Sequence, residues 1–172
     1  MKILQEIHPS DVGIDNEKQD NYKTRKTARA VAYREDQKIA ILFNERDNYH
    51  KLPGGEIEED EDPNLGVIRE VLEETGANIE VLKEIGSIAE YKDRMGILQI
   101  SHCYTAKTIG EISKPVFNEK EIASGYKLKW LNPEEAINLM ESDKPKSYEG
   151  NFVIYRDATF IKHSINSDVS KD

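Results

Sequence analysis

Apolar residues fall in short blocks along this chain, and their spacing switches between alternate and helical. MKILQEI, at the start, has the make-up of a short strand. HPSDVGIDNEKQDNYKTRK holds little that could be buried, so residues 1 to about 26 read as an N-terminal strand and loop. TARAVAY and KIAILF read as two strands joined by a turn at REDQ, a hairpin with one buried face. DNYHKLPGG then leads into an acidic segment. Within it, Asp62-Pro63 pairs a capping carboxylate with a proline suited to the first helical position, and Gly76 suits the position after the last turn. The helix is predicted over residues 63–75.

Further on, NIEVLKEIGSIAEY, MGILQISHCYTAK and YKLKWL read as extended. Asn132-Pro133 is placed to cap a helix, PEEAINLM. Phe152, Tyr155, Thr159 and Phe160 are near helical spacing, which predicts a last helix from about residue 150 to 165. Residues from about 166 to 172 read as a frayed tail. No internal repeat or low-complexity linker divides the chain. Its 172 residues suit one domain, and strands with helices laid against them predict a mixed α/β layer structure.

Hydrophobic residues make up 37% of the chain and charged residues 33%, polar but within the globular range. The formal net charge is −9. That argues against a nucleic-acid polymer or an anionic membrane surface as partner, because a phosphate array must be met by clustered Lys and Arg. A small phosphorylated ligand is still compatible, since a divalent metal reverses the local sign. Cys103 is the only cysteine, so it cannot form an intramolecular disulfide and reads as a small hydrophobe in a strand. No stretch approaches the roughly 20 apolar residues that span a bilayer. The first residues lack a signal peptide's apolar region, so a cytoplasmic protein is expected.

On the predicted helix, Leu65, Ile68 and Leu72 share one stripe that can face the core. Glu70, Glu73 and Glu74 fall at i, i+3 and i+4, so their carboxylates are expected to converge on another face. Like charges at that spacing destabilise a helix by about 0.2–0.5 kcal/mol per pair. They also sit toward the C-terminal half, where the helix dipole disfavours them. Two readings fit: a solvated acidic face, or a site for a hard divalent cation with oxygen ligands. Arg69 could pair with Glu73 in either. A calcium loop counted from Asp60 fails, because Leu65 and Val71 stand where the turn glycine and bidentate glutamate belong.

The spacing across this region carries more. Gly55, five residues, Glu61, seven residues, then Arg69-Glu70-Val71-Leu72-Glu73-Glu74-Thr75-Gly76-Ala77 resembles the signature box of the Nudix hydrolases, G-x5-E-x7-R-E-U-x-E-E-x-G-U with U apolar. Every specified position is met, and Leu52-Pro53-Gly54 is a usual companion. Asp60 departs from the glycine common before the box glutamate, which predicts an altered loop. The resemblance implies an α/β/α sandwich with a mixed sheet. It also implies a pyrophosphohydrolase using Mg²⁺ or Mn²⁺ on a nucleoside diphosphate linked to another group. Glu73 and Glu74 would be the main metal ligands, with the Gly54 carbonyl a further one and Glu70 a ligand or the base that activates water. Arg69 would orient the glutamates. Glu61 would sit at the edge of the metal cluster or hold the loop–helix junction. Many members add a glutamate from a distant loop; Glu121 fits the usual placing better than Glu119 in FNEKEIASGYKLKW.

Arg29, Arg46 and Lys51 could meet phosphates, and Tyr33, Tyr49, Tyr91 and Tyr104 could stack on a base, although strand aromatics usually pack. Tyr49, beside Lys51, is kept with the three cations as the substrate-binding set. The histidines at 8, 50, 102 and 163 lack metal-ligand spacing and read as structural. The SQPWPFPxS motif of NADH-cleaving members is absent, and residues 77–114 hold no proline of the kind that marks many ADP-ribose enzymes. A nucleoside triphosphate, including an oxidised one, or an unusual nucleotide conjugate is therefore favoured over ADP-ribose or a nucleotide sugar. A non-catalytic nucleotide-binding module on the same fold is the alternative of another class. Homodimers are common in the family, so one is among the expected assemblies.

Overall fold

The computed structural model describes residues 1–169, with side chains through residue 166. Eight strands are described: β1 (Ile3–Ile7), β2 (Lys23–Tyr33), β3 (Ile39–Asn44), β4 (Tyr49–Lys51), β5 (Gly54–Glu56), β6 (Asn78–Lys92), β7 (Ile97–Ile109) and β8 (Tyr126–Leu131). The helices are α1 (Pro63–Thr75), α2 (Glu119–Ala123), α3 (Pro133–Ser142) and α4 (Tyr148–Val169), with 3-10 turns at Pro9–Val12 and Asp93–Met95. The strands form one mixed sheet in the order β1-β6-β7-β2-β3-β4, with β5 on β2 and β8 on β3. Among the described residues no helix is long and apolar enough to cross a membrane.

β2 sets up both faces of this sheet by simple alternation. Ala28, Ala30 and Ala32 point to one side and pack with Val67 and Val71 of α1. Val31 points to the other and joins Ile39, Ile41, Met140, Phe152 and Phe160 under α3 and α4. The expected α/β/α sandwich follows, with small alanines allowing α1 to approach closely.

The expected hairpin forms only at its turn. Tyr33 stands opposite Ile39, after which the two strands take different partners. β2 pairs in parallel with β7 along its whole length, from Lys23 opposite Ile97 to Tyr33 opposite Lys107. That ladder is why the strand starts at Lys23 rather than Thr27: backbone bonds to β7 extend it through residues too polar to signal a strand. β3 lies between β4 and β8, while β5 pairs with β2 over Thr27 to Arg29. The sheet is thus forked, and Leu52-Pro53 carries the chain across the fork from β4 to β5. The crossing is tied down where Ala30 N donates to the Pro53 carbonyl at 3.1 Å.

α1 has the predicted bounds, and Asp62 accepts a hydrogen bond from Asn64 N at 2.8 Å. Its buried stripe differs from the expected one. Leu65 and Leu72 are exposed, and the sheet instead receives Gly66, Val67, Val71, Glu74 and Thr75. A count of apolar positions misses this because an acid, Glu74, occupies the inner face. Asn132 sits at the start of α3 but its side chain makes no capping bond. α4 continues beyond the expected end to Val169, and residues 170–172 of the expected tail lie outside the described residues.

Candidate active site

Everything that could act chemically on α1 depends on how the fork is bridged. Glu74 points inward, its side chain 2% exposed. Gly54 N donates to Glu74 Oε2 at 2.7 Å, and Lys51 Nζ donates to Oε1 at 3.1 Å. Lys51 Nζ also lies 3.4 Å from the Gly54 carbonyl, which accepts Arg29 Nη1 as well. Burial pushes the Glu74 carboxyl above its ordinary value, with Lys51 acting against the rise. Gly54 has φ 138°, and a Cβ there would come 2.0 Å from the Ala28 carbonyl oxygen. Only glycine allows the chain to pass this close to β2.

The outer acids are organised by Arg69. Its Nε and Nη2 each donate to Glu61 at 3.0 Å, and its Nη1 donates to Glu70 at 2.8 Å. Glu73 is more distant, 3.9 Å from Arg69 Nη1. Glu61 Oε2 also accepts Glu58 N at 2.9 Å, so this carboxylate ties the loop to the helix through Arg69. The Glu70 carboxyl lies over Gly55, where a Cβ would come within 2.5 Å of it. Partial burial raises the Glu73 carboxyl, and the nearby charges of Glu70 and Glu121 add to the rise. The three α1 glutamates do not converge on one face as expected, since Glu74 is turned inside while Glu73 is half exposed. Among the described residues no three His, Cys, Asp or Glu side chains are grouped closely enough to enclose a metal ion.

A cleft of about 610 Å³ opens at the fork, walled by Gly54, Glu70, Glu74 and Glu121 together with Arg29, Arg46, Tyr49 and Lys51. Glu73 and Glu119 are not among its walls. Glu121 comes from α2, a short helix in a stretch whose sequence reads as loop. It forms a reciprocal cap with Asn118: Asn118 N donates to its carboxylate at 2.8 Å and Glu121 N to Asn118 Oδ1 at 2.9 Å. Arg46 leans on Asp47 at 2.9 Å. Tyr33 packs against one core cluster, Tyr104 is buried within the other, and Tyr91 stacks on His8 at 4.5 Å. His50 lies between Asp143 at 3.0 Å and Lys129 at 3.1 Å, and His102 meets Ser87 Oγ at 2.8 Å. Cys103 is buried.

Further cleft residues that carry no signal in the sequence motifs include Lys92, Gln99, Tyr126 and Arg156. The Tyr126 ring centre lies 5.1 Å from Lys51 Nζ, a cation–π contact. Arg156 could have been found from spacing, because it falls four residues after Phe152 and four before Phe160, on the buried stripe of α4. Its Nε donates to Asp157 at 2.7 Å, and Asp157 in turn accepts Leu52 N at 2.8 Å, tying α4 to the fork crossing. Asp60 takes φ 63°, the left-handed conformation glycine adopts freely. The aspartate thus stands in a backbone conformation that glycine would adopt more easily.

The donor chemistry fits a hard divalent cation. Carboxylates and a backbone carbonyl supply only oxygen, and the Lys51 ammonium already stands as a cation between Glu74 and the Gly54 carbonyl.

An acid-bearing helix under a forked mixed sheet defines an α/β enzyme of phosphoanhydride chemistry, and comparison with known proteins agrees. The NUDIX domain model matches residues 23–150, and the chain belongs to the Nudix hydrolase family. Diphosphoinositol polyphosphate phosphohydrolase 3-beta of Bos taurus is 27% identical over 124 residues, 70% of this chain and 72% of that protein. A MutT-like protein of Streptomyces ambofaciens is 31% identical over 110 residues, 64% of this chain and 65% of that protein. The chain thus spans just under two thirds of this second relative. The crystal structure of the MutT protein from Methanosarcina mazei Go1 shares the fold with a TM-score of 0.56 at 16% identity, covering 86% of this chain and 99% of that one.

Proposed function

We propose that this chain is a divalent-cation-dependent pyrophosphohydrolase that cleaves a nucleoside diphosphate linked to another group, by attack of water on phosphorus. One observation carries the reading: Glu70, Glu74, Glu121 and Gly54 face a single cleft with Arg29, Arg46, Lys51 and Tyr49. Acids suited to a cation and cations suited to a diphosphate meet there, although the chain as a whole carries −9.

Mg²⁺ or Mn²⁺, held by Glu70, Glu73, Glu74, Glu121 and the Gly54 carbonyl, would neutralise the diphosphate and make water a better nucleophile at neutral pH. The chain's own groups do the remaining work. Arg69 fixes the Glu70 carboxylate over Gly55, and Glu70 or Glu121 takes the proton from the attacking water. Lys51 and Arg29 hold the Gly54 carbonyl in position and present positive charge to the phosphates. Tyr49 and Tyr126 line the same cleft and are aromatic rings at hand for a base.

The bovine relative's name suggests a second reading, a diphosphoinositol polyphosphate. Arg46 is paired with Asp47, Lys51 with Glu74 and Arg156 with Glu90 and Asp157, so in either reading the phosphates meet cations that carboxylates of the protein already balance. The deciding experiment is a screen of nucleoside triphosphates, nucleotide conjugates and diphosphoinositol polyphosphates with Mg²⁺ or Mn²⁺. Wild type is compared with Glu70→Gln and Glu74→Gln. Both variants are expected to lose most activity, and Glu70→Gln serves as control because Glu74→Gln also leaves Lys51 buried without its partner. Turnover by Glu70→Gln and Glu74→Gln equal to wild type would refute the reading.

A further inference from the structure

At one end of the cleft an acid of the protein covers a buried cation. Glu149, in the first turn of α4 and half exposed, places Oε1 3.1 Å from Lys92 Nζ and 3.9 Å from Arg25 Nη1. Lys92 itself is 2% exposed. Its other partners are Gln99 Oε1 at 3.0 Å and Glu90 Oε1 at 3.9 Å. Glu90 is already engaged, accepting from Gln99, Ser101 and Arg156. Glu90 and Glu149 together balance the Lys92 ammonium, Glu149 making the shorter contact and being the one of the two near enough to solvent to swing away.

Cross-strand register explains why these groups meet. Glu90 lies opposite Gln99, and Gln99 opposite Arg25, so one row across β6, β7 and β2 carries all three. Arg156 comes down on this row from α4, and its Nη2 is buried with no hydrogen-bond partner. A buried guanidinium nitrogen without an acceptor is costly, and nearby negative charge reduces that cost. The start of α4, a helix of 22 residues, adds its positive dipole end at Tyr148 and Glu149.

We propose that Lys92, Arg25 and Arg156 form a second anion subsite, for a phosphomonoester of the substrate, and that the Glu149 carboxylate stands in for that group until the substrate displaces it. Arg25 Nε donates to the exposed Glu56 at 3.1 Å, and its Nη groups can meet a phosphate dianion that also contacts Lys92, whereas Glu149 approaches only Lys92 closely. Arg25 precedes Arg29 by four residues on β2, about 13 Å of strand, and Arg29 reaches the Gly54 carbonyl. The subsite therefore lies on the order of 10 Å from the cleavage point. The substrate class it selects is a nucleotide conjugate with a further phosphate at that distance from the scissile diphosphate. This assignment rests on the proposed function for the identity of the substrate, though not for the existence of the subsite.

The test titrates metal-free protein with inorganic phosphate by calorimetry. Saturable binding is expected, tightening about threefold in Glu149→Gln and weakening about threefold in Arg25→Gln, the size of one partly exposed charge. Arg25 and Glu149 lie at the rim, so neither variant threatens folding as one at Lys92 would. Absence of binding in Glu149→Gln, or equal affinity in all three proteins, would overturn the subsite. A second arm compares KM with Mg²⁺ for conjugates with and without the extra phosphomonoester. A lower KM for the first, lost in Arg25→Gln, assigns the subsite to substrate; equal KM values overturn that assignment. Hydrolysis without phosphate binding sinks the subsite alone, and phosphate binding without any turnover sinks the hydrolase reading alone.

Discussion

Lys51 Nζ stands 3.1 Å from Glu74 Oε1 inside the protein, the two side chains 9% and 2% exposed. The pair joins β4 to α1 across the fork, next to the carbonyl most suited to a cation. Removing one member of such a pair strands the other in a poorly solvating interior. Lys51→Met is expected to lower the metal-free unfolding free energy by about 3–5 kcal/mol. With Mg²⁺ at millimolar concentration the loss should shrink, because a bound cation replaces the missing charge and stabilises the native state. Urea unfolding with and without Mg²⁺ measures both. An unchanged midpoint in the metal-free variant would show that the pair has no structural weight.

Two adjacent glycines should fail differently. Gly54→Ala drives a Cβ into the Ala28 backbone carbonyl at 2.0 Å, where nothing can yield, so the variant is expected to be unfolded or severely destabilised. Gly55→Ala instead meets the end of the Glu70 side chain at 2.5 Å, which can swing aside. That protein should fold, with its circular dichroism spectrum retained, and lose turnover by at least about tenfold as Glu70 is displaced. Full activity in Gly55→Ala would argue against the seat assigned to Glu70.

Asp60 holds a left-handed φ of 63° that glycine adopts without strain. Asp60→Gly should therefore stabilise the protein slightly, by up to about 1 kcal/mol, offset in part by the greater freedom of glycine in the unfolded chain. Thermal melting at neutral pH checks the sign. A drop in melting temperature would mean that the aspartate makes a compensating local contact.

The Arg69–Glu61 pair predicts a pH dependence. Hydrogen bonds from Arg69 hold the Glu61 carboxyl below its ordinary value of 4.5. A carboxyl depressed in the folded state contributes stability that is present above the unfolded pKa and lost as pH falls through the folded one. Glu61→Gln should thus melt below wild type at pH 7, and the gap should close progressively below about pH 4.5. Scanning calorimetry between pH 7 and 3 follows it; a gap that does not change with pH would contradict the ionic contribution.

The boundaries of α1 were legible because they depend on local chemistry: a carboxylate that caps, a proline that needs no donor and a glycine that turns left-handed. The box acids were legible for a related reason, since their order and spacing match a family signature at every specified position. Glu61, Arg69, Glu70 and Gly54 were singled out in this way, and the α/β class was legible too. Which face of α1 is buried was not legible. Leu65 and Leu72 look like core to any hydrophobic count, yet Glu74 lies inside because Lys51 and Gly54 N, distant in sequence, satisfy its charge there.

The strands show the same division. Residues 23–26 became strand only through their ladder with β7, whose partner residues begin at Ile97, and the hairpin opened because β5 takes the facing edge of β2 and β4 that of β3. Lys92, Arg156 and Asp157 acquire meaning only when β6 and α4 meet at the fork. Caps, helix bounds and the acids of the box were written into the chain itself, because each depends on neighbours within a few residues. Which charges are buried, which are paired and what else faces the cleft came with the folded arrangement, because those follow from low-dielectric contacts between segments far apart in the chain.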